Sequence, residues 1–167
     1  MEIAEAVKKS FIFNTLSDSE ISEILNITEE RRFQEGDFIM QEGDKGDEMY
    51  LVLDGRVDVS KSLTMKFGEN DFRRTEKVLT HFRPEDHPIF GEMALIDQDN
   101  RSATIVARTD CVFLVIKRAE FMNLIECKPE LGLKMLLRLC ELLANRLKQS
   151  SQDVTRLTTA LSIALSK

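Results

Sequence analysis

Apolar residues recur with a helical period at both ends of the chain and in short, glycine-punctuated runs between them. From Glu2 to Ser10, Ile3, Ala6, Val7 and Ser10 fall along one side and predict a short helix. Phe11 and Phe13 follow as the residues that dock it onto a core. Ser17-Asp18-Ser19-Glu20 has the spacing of a capping box, with Leu16 and Ile21 as its hydrophobic staple. A second short helix then carries Ile21, Ile24 and Leu25 on one face.

The period changes after Arg31. Phe38 to Met40, Met49 to Leu53 and Arg56 to Val59 read as strands, separated by turns at Gly36, Gly43, Gly46 and Gly55. Asp54-Gly55 is a strong hairpin signal. The polar stretch Ser62 to Arg74 predicts a hairpin tip or flap, Lys77 to Phe82 another strand, and Pro84 and Pro88 the bounds of a loop. Ser102 to Ala107 alternates small, polar and apolar residues, and Cys111 to Ile116 is a largely apolar strand. Short strands with regular turns point to a mainly β fold, an antiparallel β-roll of the jelly-roll or cupin-like kind with flanking helices.

Helical spacing returns at Arg118 to Cys127, with Phe121, Leu124 and Ile125 facing inward, and Pro129 suits the first turn of a further helix. That last helix is long. Leu136, Cys140, Leu143, Leu147, Ser150, Val154, Leu157, Leu161 and Ala164 step alternately by four and three, over about four heptads, the template of a coiled-coil seam. A helix of nearly forty residues, at about 1.5 Å each, outruns a small roll. Its far half therefore predicts a partner, most simply the same helix of a second copy. The chain divides accordingly into a roll with N-terminal helices at 1–128 and a dimerisation helix at 129–167.

Composition narrows the function classes. A net charge of −6 argues against bulk nucleic-acid binding. With the long helix ending at Lys167, no room is expected for a helix-turn-helix. Cys111, Cys127 and Cys140 lie in apolar segments without metal-ligand spacing and read as small hydrophobes in a reducing compartment. No apolar run reaches membrane-spanning length and the first residues lack a secretion signal, so a cytoplasmic location without membrane contact is expected. His81 and His87 do not form the tight cluster that a metal-binding cupin needs, so no metal is expected.

The candidate chemistry lies in Phe90-Gly91-Glu92-Met93-Ala94-Leu95-Ile96, closed by Arg101-Ser102-Ala103-Thr104. Gly91 opens a tight turn into one helical turn, which presents backbone N–H groups to an anion. Arg101 adds a planar fork of donors suited to phosphate oxygens. Glu92 is acceptor-only, and like charges repel, so it faces a hydroxyl. One anion, one hydroxyl and a small space between them describe a sugar phosphate. A surface bridge between Arg101 and Glu92 is the plainer alternative.

The pattern Phe90, Gly91, Glu92, Ala94, Leu95, Arg101, Ser102 and Ala103 resembles the phosphate-binding cassette of cyclic nucleotide-binding domains, the family of catabolite activator protein and the kinase A regulatory subunit. The resemblance implies a binding and regulatory module, not an enzyme. It implies that Arg101 holds an equatorial phosphate oxygen. Ser102 and amides around Met93, Ala94 and Ala103 would complete the phosphate shell. Glu92, helped by the Gly91 backbone, would accept the ribose 2′-hydroxyl, with Leu79 and Phe82 as apolar walls. Arg146-Leu147 followed by Ser150-Ser151 is similar to the family's dimer-helix segment, whose paired hydroxyls touch adenine. Ser102 in place of threonine, together with Ser150 and Ser151, leans toward cyclic AMP over cyclic GMP. The rival readings are a scaffold of the same fold without a ligand, a metalloenzyme and a DNA-binding regulator.

Overall fold

Two strands, β3 (Glu48–Asp54) and β8 (Cys111–Lys117), are almost wholly buried, and they show why the centre of the chain lacks simple alternation. Tyr50, Val52, Phe113 and Val115 point into the interior of the roll. Met49, Leu51, Leu114 and Ile116 point the other way, into a second core covered by helices. A strand buried on both faces reads as a continuous apolar run. The structure, a computed structural model, describes residues 3–66, 72–82, 85, 87–97 and 100–166; side chains at 63–66, 72–77 and 79 lie outside that description.

The remaining strands are β1 (Thr28–Phe33), β2 (Phe38–Met40), β4 (Val57–Lys66), β5 (Phe72–Phe82), β6 (Ile89–Phe90) and β7 (Thr104–Ala107). They form two four-stranded sheets, ordered β1-β8-β3-β6 and β2-β7-β4-β5, with every pairing antiparallel. Strand β1 and the two-residue β6 are the elements that the sequence pattern missed. In β1, the residues Thr-Glu-Glu-Arg-Arg-Phe carry little apolar signal, and the strand is held at the sheet edge by pairing with β8. The Ser62–Arg74 stretch is largely strand, since β4 runs to Lys66 and β5 begins at Phe72; the tip itself lies outside the described residues.

Helices α1 (Ile3–Lys9), α2 (Asp18–Asn26), α4 (Arg118–Cys127) and the first turns of α5 (Pro129–Leu165) pack on the outer face of the first sheet. The capping box forms as expected: the Glu20 amide donates to Ser17 Oγ and the Ser17 amide donates to the Glu20 carboxylate. Phe13 is buried, whereas Phe11 stays at the surface, where Arg138 of α5 lies 4.0 Å over its ring and donates to its carbonyl. Gly132 brings α5 onto α4: a Cβ there would lie 2.9 Å from the Ile125 Cα.

Helix α5 spans 37 residues, about 55 Å at 1.5 Å per residue. Leu131, Met135 and Leu139 are buried in the helical core, but Leu147 is 70% and Leu157 71% exposed, and Val154 and Leu161 are similarly bare. The cysteines depart from expectation. Cys111 is buried, and that burial pushes its thiol up, while Cys127 and Cys140 are exposed. Hydrophobic cysteine behaviour is therefore confined to one of the three. Among the described residues no helix is long and apolar enough to cross a membrane.

Candidate functional site

A cleft of about 250 Å³ opens between the two sheets and α5, at the small end for a ligand site. Its floor is α3 (Met93–Ile96) and the turn before it. Gly91 makes that turn with φ +74°, a conformation that other L residues rarely adopt. A Cβ at Gly91 would also stand 2.7 Å from both Arg101 Nη1 and the Glu48 carbonyl oxygen. The glycine is required twice, by the backbone turn and by the arginine that crosses it.

Arg101 is fixed from several sides. Its backbone N–H donates to the Asp44 carbonyl at 2.7 Å, and its own carbonyl accepts from Gly43 at 2.9 Å. Its guanidinium Nη1 donates to the Glu48 carbonyl at 2.8 Å, and its Cζ lies 5.9 Å from the centre of the Tyr50 ring. Gly46 clears the other flank, where a Cβ would sit 2.0 Å from Nε. Only 8% of Arg101 is exposed, and among the described residues it pairs with no carboxylate. A buried guanidinium facing a cleft suits an anion.

Glu92 is also buried, but it does not bridge to Arg101. Its Oε1 accepts from Arg146 Nη1 of α5 at 2.5 Å, and Arg146 Nη2 donates to the Ile89 carbonyl at 2.6 Å. The plainer alternative, a surface pair between Arg101 and Glu92, is set aside by this geometry. Arg146 is the polar residue that sequence reasoning left without a role. The available signal was its position one helical turn before Ser150.

The structure brings Gly91, Glu92, Met93, Ala94, Arg101, Ser102 and Ala103 to the lining of this one cleft. Ala94 is buried and its N–H donates to the Gly91 carbonyl at 3.1 Å, so that amide is already engaged within the turn. Ser150 and Ser151 do not line the cleft. Both are exposed on α5, and Ser151 Oγ donates to the Leu147 carbonyl at 2.9 Å. Phe82 is a wall as expected, joined by Met40, Val59 and Ile105 from three inward-facing strand positions. The Leu79 side chain lies outside the described residues.

Beside Arg101, Arg31 of β1 donates through both Nη atoms to Glu48, at 2.8 and 2.9 Å, and the Tyr50 hydroxyl donates to the same carboxylate at 2.7 Å. Hydrogen bonds from Arg31 hold the Glu48 carboxyl below the usual carboxylate range. Burial, then the hydrogen bond to Glu48, pushes the Tyr50 phenol up, so it stays a donor. On the outer side of the roll His81 pairs with the buried Asp58 at 2.5 Å. Among the described residues no group of three or more His, Cys, Asp or Glu could hold a metal.

Comparison with known proteins agrees with this geometry. The cyclic nucleotide-binding domain family matches residues 30–127, and the chain belongs to that family, one of binding and regulatory domains rather than catalysts. A solved cyclic nucleotide-binding domain from Methylobacillus flagellatus superposes with TM-score 0.75 at 30% identity, covering 92% of this chain and 81% of that one. The catabolite activator protein of Thermus thermophilus gives TM-score 0.74 at 30% identity, covering 89% of this chain and 63% of that one. A cAMP-dependent protein kinase regulatory subunit from Eremothecium gossypii is 31% identical over 123 residues, which are 74% of this chain and 24% of that protein. The chain thus spans less than two thirds of the Thermus protein and about a quarter of the kinase subunit.

Proposed function

We propose that this chain is a cyclic nucleotide sensor whose ligand is cyclic AMP, and that binding sets the orientation of α5 within a homodimer. Residues 1–128 act as the ligand-binding roll and 129–167 as the dimerisation helix. The observation that carries the reading is that one cleft joins Arg101, Glu92 and Arg146, so a ligand there touches both the roll and the helix. Arg101 takes the cyclic phosphate, with Ser102 and the backbone at Met93, Ala94 and Ala103 around it. Glu92 accepts the ribose 2′-hydroxyl beside Gly91. To reach Glu92, that hydroxyl must share or displace Arg146, and that exchange carries the signal to α5. A ligand shifts such a balance only by binding one arrangement more tightly than the other.

The exposed seam Leu147, Val154, Leu157 and Leu161 supports pairing with the same helix of a second copy. Pairing would also bring Ser150 and Ser151 of two chains together at the open end of the cleft, where they would meet the adenine. Calorimetric titration of the full chain with cyclic AMP, cyclic GMP and a cyclic dinucleotide tests the ligand assignment. Cyclic AMP is expected to bind most tightly, and heats equal to buffer for all three would refute the sensor. Sedimentation of wild type against Leu157→Asp tests the dimer. We expect a dimer converted to monomer; a wild-type monomer at high concentration would refute the pairing.

A further inference from the structure

Glu48 is gripped from two directions. Its carboxylate receives Arg31 through both Nη atoms and the Tyr50 hydroxyl, while its backbone carbonyl receives Arg101 Nη1 at 2.8 Å. The Cζ atoms of Arg31 and Arg101 each lie 5.9 Å from the centre of the same Tyr50 ring. That ring is itself immobilised, stacked on Phe90 at 5.3 Å and edge-on to Phe113 at 6.0 Å. Two cations beside one ring repel unless one is neutralised. Glu48 neutralises Arg31, and Glu29 adds a further bond to the same guanidinium. Among the described residues Arg101 is left without a carboxylate partner, facing the cleft.

We infer that Arg31, Glu48 and Tyr50 are positioning residues for Arg101: an ion-paired bracket across β1 and β3 that fixes the guanidinium where an anion will meet it. The claim rests on the reading of Arg101 as the phosphate ligand and extends it to residues outside the cassette. None of the three lines the cleft. They act through the Glu48 carbonyl and the Tyr50 ring. Without the Glu48 charge, Arg31 keeps only its bond to Glu29, and the less compensated guanidinium beside the Tyr50 ring loosens the seat of Arg101. Without the Tyr50 hydroxyl, the carboxylate would lose the bond that ties it to the ring beneath Arg101. An arginine that must first be collected into place binds more weakly than one already there.

The test uses Glu48→Gln, which keeps the side-chain length and an acceptor for Tyr50, and Tyr50→Phe, which keeps the ring. Each is measured with Arg101 intact and with Arg101→Lys. Cyclic AMP affinity, by calorimetry at ligand concentrations up to the millimolar range, is expected to fall roughly tenfold with Arg101 intact and less than about twofold with the lysine. In the ligand-free protein, the Arg101 Nε–H nuclear magnetic resonance signal, assigned by its loss in Arg101→Lys, should move toward that of a solvated arginine. Equal losses in both backgrounds would show general damage and overturn the bracket. Unchanged affinity in a folded Glu48→Gln protein would do the same. If the wild type binds none of the nucleotides, the sensor reading falls, and the Arg101 signal alone decides the bracket: an unmoved resonance in Glu48→Gln overturns it.

Discussion

Arg101 and Arg146 are chemically identical and line the same cleft, yet the structure treats them differently. Arg101 is 8% exposed, threaded between two glycine positions and bonded to backbone at both its main chain and its guanidinium. The Arg146 side chain is 39% exposed and projects from a helix whose distal apolar residues, Leu147, Val154, Leu157 and Leu161, are exposed. Arg101 belongs to the wall of the roll and Arg146 to a helix packed only through its first turns, with its distal apolar residues exposed. A sensor needs both, a preformed anchor and a contact that can be exchanged.

The largest expected effect falls on the anchor. Arg101→Ala should retain the fold by circular dichroism and lose roughly 2–5 kcal/mol of cyclic AMP binding, about thirtyfold to several thousandfold in affinity. Arg101→Lys should recover little, because an ammonium cannot reproduce the planar fork. Unchanged calorimetric affinity in the alanine variant would erase the distinction between the two arginines. Next comes the residue between them. Glu92→Gln should weaken cyclic AMP roughly tenfold and leave a 2′-deoxy analogue nearly unaffected; equal losses for both ligands would remove the ribose contact.

Arg146→Ala should change affinity by only a few fold. It should nonetheless abolish the ligand-induced change in distance between spin labels on the roll and on distal α5. A full-sized distance change in that variant would take the signal away from the Glu92–Arg146 pair. The smallest effect is on stability in acid. Hydrogen bonds from Lys134 lower the Glu20 carboxyl and bonds from Arg31 lower Glu29 and Glu48. Burial works against ionisation of Asp58, but His81 and Arg108 outweigh it. Carboxyls lowered by folding stabilise the protein above their unfolded pKa, about 4, and lose that contribution as pH falls through the lower folded values. Tm should be level above about pH 5 and decline below about pH 4. Glu48→Gln should make that decline shallower by a few degrees at most. An identical acid profile would mean that the Arg31–Glu48 pair stabilises nothing.

Much of the fold was legible because local signals agreed. The capping box at Ser17–Glu20 and the bounds of α4 and α5 each follow from a few adjacent residues. Asp54-Gly55 makes the expected turn, with Gly55 at φ +89°, but not the expected hairpin: β3 and β4 on either side of it pair in different sheets, so the chain crosses from one sheet to the other there. Strand β1 was not legible, because its identity comes from β8 beside it and not from its own composition. In the cleft, the cassette residues were legible by their spacing, whereas Arg146, Glu48 and Gly46 were not. Their roles depend on chain segments dozens of residues apart in sequence meeting in space.

The order of residues settled which chemistry the chain carries: a glycine-led turn, a carboxylate and an arginine at short range, and a helix with an unfinished apolar seam. Periodicity and turn chemistry are local properties and survive without a fold. The partner of each charge was settled in three dimensions. Arg101 rests on a carbonyl and Glu92 takes Arg146 because two sheets and a long helix bring them within hydrogen-bond reach. Burial then turns those meetings into strong interactions by removing the water that would otherwise screen them.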